Sequence, residues 1–212
     1  MKKESMVNKQ WSVKTASDYN KKQQTKHLAI FASGAGSNAQ KIIEHFKNST
    51  LAKIDLIVSN KPGAGVLKIA ANENIQVLII EKALFNDSGY LEELRSHHID
   101  FIVLAGFLWK LPSILINAYK GKIINIHPAL LPSYGGKGMY GNAVHAAVLN
   151  AKEKQTGITI HYVDEKYDHG EIIFQKECTI DENETVESLA QKVHKLEHYY
   201  YPKQIETLLD KI

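Results

Sequence analysis

Cysteine is almost missing from this chain of 212 residues, with Cys178 its only example. One thiol excludes an intramolecular disulfide and a thiolate metal cluster, and it suits a reducing compartment. Long apolar runs are missing as well. None approaches the roughly 20 residues that a membrane span needs, and the amino terminus lacks the apolar core of a secretion signal. A soluble, cytoplasmic protein with no membrane partner is therefore expected. Charge is nearly balanced at a formal net +3, and lysines within residues 1–26 carry much of that excess. The remainder lacks the basic stripe of a nucleic-acid groove, although a phosphate-sized anion needs only a few donors. Internal repeats and low-complexity linkers are absent from the body of the chain.

The composition is 44% hydrophobic, enough at this length for the core of one domain. Residues 1–26 are polar and aperiodic, which predicts a poorly ordered extension and leaves residues 27–212 as a single domain. From His27 onward, short β-branched runs alternate with amphipathic stretches, the pattern of βαβ units around a parallel sheet. Strands are predicted at 27–32, 54–58, 76–80, 101–104 and 122–125, and helices at 37–46, 66–72, 87–97 and 113–119. A Pro/Gly-rich loop, a helix at 140–149 and alternating strands at 157–163 and 171–180 follow. These last two read as an antiparallel appendage. A long helix over 185–209 closes the pattern, with residues 181–184 as its acidic lead-in.

Two places carry chemistry. Ser33-Gly34-Ala35-Gly36-Ser37-Asn38 follows a strand and opens a helix, so the backbone can approach an anion while free helix amides point at it. Ser37 is expected to cap that helix, and Asn38 to donate to a phosphate or sugar oxygen. With Ala39 the turn also satisfies the dinucleotide pattern G-x-G-x-x-A, but the second strand ends in Val58-Ser59-Asn60, with no acid to hold a ribose diol. A mononucleotide-sized phosphate fits better than a nicotinamide cofactor; the alternative is a tight turn holding nothing. Further on, Asn125 and His127 stand two residues apart at the carboxyl end of a strand and should share a face. Pro128 biases His127 towards extended backbone. An amide donor beside an imidazole suits acyl transfer, and a structural histidine is the alternative.

These residues carry a resemblance. Gly34-Ala35-Gly36-Ser37-Asn38, Ala105-Gly106-Phe107 and Asn125-Ile126-His127-Pro128-Ala129-Leu130-Leu131-Pro132 occur in the order and spacing of phosphoribosylglycinamide formyltransferases. Thr156-Gly157-Ile158-Thr159-Ile160-His161-Tyr162-Val163 and Asp168-His169-Gly170 resemble the segment with that family's catalytic aspartate. The resemblance implies an α/β, Rossmann-like fold, mostly parallel, with helices on both faces and a C-terminal antiparallel strand pair. It implies transfer of a formyl group from 10-formyltetrahydrofolate, a co-substrate, to the amine of glycinamide ribonucleotide in purine biosynthesis. No metal, no nucleic acid and no covalent enzyme intermediate are implied, and the state would be monomer or homodimer.

By the same resemblance Asn125 would bond the formyl oxygen, His127 would polarise the formyl group or manage the proton, and Asp168 would raise the imidazole's basicity. Gly36, Ser37 and Asn38 would hold the ribose phosphate. Glu197 would accept from ribose hydroxyls, with a solvated helix face as its alternative. Leu108, Trp109, Lys110 and Leu111 would wall the pterin, opposite the loop with Val163 and Asp164. His161 would support Asp168 or line the pocket, or be an ordinary strand histidine. Trp109 stands where an Arg is usual, and His169 where a Gly is usual, so His169 is expected to reshape the folate loop at a cost in backbone conformation. The loop at 135–141, bearing Lys137, either orders over the ligands or is a surface connection. Hydrolysis of the formyl folate, another formyl acceptor and passive nucleotide binding are the competing functions. Related deformylases and tRNA formyltransferases carry an additional domain for which this pattern offers no room.

Overall fold

The structure is a computed structural model that describes residues 24–211. The expected extension therefore lies almost wholly outside the described residues, and its last residue, Lys26, already belongs to a strand. In chain order the elements are β1 (Lys26–Phe31), α1 (Ser37–Phe46), β2 (Ala52–Ser59), α2 (Val66–Asn72), β3 (Gln76–Ile79), α3 (Gly89–Ser96) and β4 (Phe101–Leu104). There follow α4 (Ser113–Ala118), β5 (Ile123–His127), α5 (Asn142–Asn150), β6 (Gln155–Tyr162), β7 (Ile172–Thr179) and α6 (Val186–Leu209).

All seven strands form one sheet in the order β3-β2-β1-β4-β5-β6-β7. Strands β1 to β5 are parallel, and β6 and β7 continue the same sheet in antiparallel pairing. The expected antiparallel pair is thus present, and it extends the sheet at its β5 edge. Leu28, Ala29, Ile30 and Phe31 of β1 are at most 1% exposed, because a central parallel strand is covered on both faces. One face packs α1, α5 and α6 around Ile30, Ile42, Val148, Val193 and Tyr201. The other covers Phe31, Leu56 and Ile102 with Leu94, Leu115 and Tyr119 of the α3–α4 side. No helix among the described residues is long and apolar enough to cross a membrane.

The chain leaves β1 towards β2 on one side and later returns to β4 on the other, so the carboxyl ends of β1 and β4 form a topological switch point. Open α/β sheets bind ligands in the crevice there. Helix α6 closes the α1 face. Its Thr185–Ser188 capping box satisfies the first-turn amides, and its buried positions recur every fourth residue from Leu189 through Val193, Glu197, Tyr201 and Ile205 to Leu209. A carboxylate in that otherwise apolar stripe points to a partner across the interface.

Candidate functional site

A cavity of about 750 Å³ opens at this switch point, within the range of small-molecule sites. The turn after β1 forms its floor. The Val66 amide donates to Gly34 O at 3.2 Å, which brings α2 against the turn. Gly36 has φ +84°, and a Cβ there would lie 2.7 Å from Val66 Cβ, so only glycine fits. This left-handed Gly36 is the N-cap of α1, with no side-chain cap. Ser37 is the first helical residue and not the cap expected from sequence. The turn is set by backbone packing, which leaves the first-turn amides to the cavity.

The strand-end cluster lies on the cavity wall beside this turn. Asp168 Oδ2 accepts the Gly136 amide at 2.9 Å and faces His127 Nδ1 at 3.6 Å. Its Oδ1 lies 3.4 Å from Asn125 Nδ2 and 3.7 Å from His161 Nε2. Register explains the meeting: β5 pairs with β6 so that Asn125 stands opposite His161, and His127 opposite Thr159. The chain beyond β6 then returns Asp168 over both. His127 Nε2 donates to Tyr134 O at 2.8 Å. That bond fixes the tautomer, so Nδ1 is the nitrogen free to gain a proton, and it does so facing a carboxylate. His161 Nδ1 donates to Tyr162 O at 2.8 Å, leaving Nε2 to accept Asn125 Nδ2 at 3.2 Å. Two acceptors thereby orient the Asn125 amide with its nitrogen inwards.

Burial acts hardest on His127 and holds it below the usual imidazole value, although Asp168 and the Tyr134 carbonyl pull it upwards. The uplift from Asp168 has the expected sign but does not prevail. In Asp168 burial pushes upwards, yet His161, His127 and the Gly136 amide together keep the carboxyl below the ordinary range. A carboxylate facing a neutral imidazole is therefore the resting state. His145 is held lower still, at about 4, by burial and by the neighbouring His194 and His127.

The sign of the pH dependence follows. Unfolded imidazoles protonate near 6.5, whereas His127 and His145 refuse the proton until lower pH. Between those values the unfolded chain binds more protons, so stability falls as pH drops from about 6.5 towards about 4. Asp168 contributes stability above 3.8 that is lost only as pH falls through its depressed folded value. Urea midpoints should be flat above pH 7 and should decline between pH 6.5 and pH 5. A midpoint constant from pH 7.5 to pH 5 contradicts this.

Beyond the cluster the cavity has two unlike ends. On the α1 face, Glu197 is 5% exposed and its Oε2 accepts Asn38 Nδ2 at 2.8 Å, so it lies inside the site and not on a solvated helix face. Burial pushes its carboxyl upwards, against the pull of Asn38. Asn38 Oδ1 is buried without a partner. On the opposite face Leu108, Trp109, Lys110, Leu111, Val163 and Asp164 all line the cavity. Trp109 packs against Phe85 and Phe107 at ring separations of 5.7 and 6.5 Å, an apolar wall for a flat ring. His169 departs from expectation. The strained backbone belongs to Asp168, at φ +52°, and His169 instead bonds Asp164 through Nδ1 at 2.7 Å. Residues 136–141 of the Gly-rich loop line the cavity too, so this loop is part of the site.

Several residues here carry no sequence motif. The Thr159 hydroxyl donates to Ala129 O, and it accepts the Leu131 amide and Gln175 Nε2, fixing the chain just beyond His127. Tyr201 OH donates to Leu104 O at 2.9 Å, with Ile124 O at 3.4 Å, across the ends of β4 and β5. Lys61 and His145 line the cavity. A histidine in the apolar stretch Asn142–Asn150 was the one visible sign of the latter. Among the described residues no group of three or more His, Cys, Asp or Glu side chains is placed to hold a metal ion.

A profile of the formyl transferase family matches residues 26–205. The phosphoribosylglycinamide formyltransferase of Bacillus subtilis (strain 168) is 43% identical over 191 residues, covering 87% of this chain and 95% of that protein. A chloroplastic phosphoribosylglycinamide formyltransferase from Vigna unguiculata is 40% identical over 191 residues, which are 87% of this chain and 61% of that one. The crystal structure of glycinamide ribonucleotide transformylase 1 from Geobacillus kaustophilus superposes with a TM-score of 0.80 at 40% identity, covering 87% of this chain and 99% of that chain.

Proposed function

The chain belongs to the formyl transferase family, and from that premise we propose that its cleft moves a formyl group from 10-formyltetrahydrofolate to the amine of glycinamide ribonucleotide. The observation that carries this reading is the convergence of Asn125, His127 and Asp168 on one cavity wall, between a phosphate-sized turn and an aromatic wall. The folate supplies the formyl group. Its flat ring suits the slot between Trp109 with Leu108 and the loop of Val163 and Asp164. The ribose phosphate suits the amides of Gly36, Ser37 and Asn38, and the ribose diol suits Glu197.

In this reading the amine nitrogen bonds to the formyl carbon, the bond from that carbon to the folate nitrogen breaks, and a proton moves from the amine to that nitrogen. Asn125 Nδ2 can turn to the formyl oxygen by giving up its 3.4 Å contact with Asp168, the longer of its two. His127 Nδ1 holds the proton in transit, with Asp168 balancing the charge that develops there. The family's chemistry thus needs no more than these three side chains and their supports.

The test is turnover with purified protein, 10-formyltetrahydrofolate and glycinamide ribonucleotide, following folate product. Amine-dependent release supports the reading; equal release without amine means hydrolysis and overturns it. Glu197→Gln keeps the shape and the bond from Asn38 but weakens acceptance from the diol. The ribonucleotide KM should rise about tenfold, equivalent to about 1.4 kcal/mol, with the folate KM unchanged. Equal KM values would place the ribose elsewhere. We place the chain from Lys26, the first residue of β1, onward in one domain and the protein in the cytoplasm, where a single cysteine suits the reducing conditions.

A further inference from the structure

Helix α5 buries Val144, His145 and Val148. The two valines belong to the apolar packing of the α1 face, but the imidazole between them is only 1% exposed and its Nδ1 has no hydrogen-bond partner. An apolar side chain would fill that position without burying an unsatisfied nitrogen. His145 also lines the cavity. The groups that act on it are His194 on α6 and His127 on β5, both imidazoles. Glu197 of α6, which lines the same cavity, is engaged by Asn38 and lies 4.0 Å from His194. Lys61 and Lys137 also line this cavity. Asp168 and Asp164, the other carboxylates of the lining, are held by the Gly136 amide and by His169. Among the described residues no anion acts on His145, and the complementary charge has to come from a ligand.

The side of the sheet indicates which ligand. Helices α5 and α6 pack on the face of α1, which carries Gly36, Ser37, Asn38 and Glu197 at the cavity, whereas Phe107, Trp109 and Val163 belong to the opposite core. We propose that His145 is a recognition residue for the anionic, phosphate-bearing end of the amine substrate, reaching it from α5 on the same side of the sheet as the Gly36–Asn38 amides. This rests on the function proposed above. A neutral imidazole that meets a phosphate dianion gains from protonation, so binding of the substrate draws a proton from solution, and His145 is its destination.

Calorimetric titration of the whole protein with glycinamide ribonucleotide, at pH 7 in two buffers of different ionisation heat, counts that proton. Wild type should take up a large part of one proton and His145→Gln none. His145→Leu should raise the ribonucleotide KM about tenfold, His145→Gln less, while kcat and the folate KM stay within about twofold. Identical proton counts in wild type and His145→Gln overturn the proposal, and so does a parallel rise in both KM values, which would mark a packing role. Inorganic phosphate serves as a second probe. If it binds with His145-dependent uptake while the ribonucleotide neither binds nor reacts, the anion site stands and the proposed substrate falls; if neither draws a proton, both fall.

Discussion

Asp168→Asn should lower kcat by about 10² to 10⁴-fold, the range over which positioned proton-transfer groups act, while both KM values stay near wild type and the melting temperature falls only modestly, by the stability its ionised form contributes. The substitution keeps shape and volume but removes the charge and one acceptor, the Oδ1 that faces Asn125 Nδ2. Asp168 sits at φ +52°, a conformation that asparagine tolerates about as well as aspartate, and an amide oxygen can still accept the Gly136 amide. What disappears is the negative charge facing His127 Nδ1 and His161 Nε2. A proton reaching Nδ1 then meets no countercharge in a buried site. Asp168→Ala should lose more stability, since alanine in the left-handed region costs roughly 1–2 kcal/mol and leaves the Gly136 amide without its acceptor. Steady-state kinetics beside thermal melts separate the two effects. A kcat for Asp168→Asn within about tenfold of wild type would remove the carboxylate from the chemistry.

A large effect on stability is expected where β6 and β7 touch. A Cβ on Gly157 would fall 2.0 Å from Lys176 O, 2.9 Å from Glu177 Cα and 2.9 Å from Leu130 Cδ2. Two of those atoms are backbone, so the side chain cannot be accommodated by rotation and the strands must part. Overpacking of this kind costs roughly 3 kcal/mol or more, and Gly157→Ala should lower the melting temperature by about 6–12 °C at this chain length. Gly63→Ala, where nothing lies within 4 Å, is the control and should shift little. Because Leu130 leads into the chain pinned by Thr159 just after His127, Gly157→Ala should also cost activity in the protein that remains folded. A melt indistinguishable from the control would mean that the pairing of β6 with β7 differs from the one described.

Local pattern made much of this fold legible. The bounds of α1, α2 and β4 follow their apolar spacing. The expectation stops β5 at Asn125, where the pattern turns towards a Pro/Gly-rich loop, but the strand runs on to His127 because β6 supplies antiparallel partners for its backbone. Likewise, Gln155 and Thr156 belong to β6 only once β7 is beside them. The candidate site was readable where a motif concentrates it, at Gly36–Asn38 and at Asn125–His127. Elsewhere it depends on tertiary context. Ser37 looks like a cap until Val66 is seen against Gly36, and His169 looks strained until Asp168 is seen to hold the left-handed turn. Nothing in the spacing of Thr159, Tyr201 or His145 tells a hydroxyl or an imidazole with a task from one that merely packs.

The bond from Asn38 to Glu197 joins the second element of the chain to the last, across 159 residues. Helix α6 also supplies Leu189, Val193, Tyr201, Ile205 and Leu209 to the core of the α1 face, and its Tyr201 hydroxyl reaches Leu104 O. The element that closes the cleft beside Asn38 is thus also one the sheet needs in order to stand, so a chain cut before α6 should lose the fold together with Glu197 rather than keep a working but undiscriminating site.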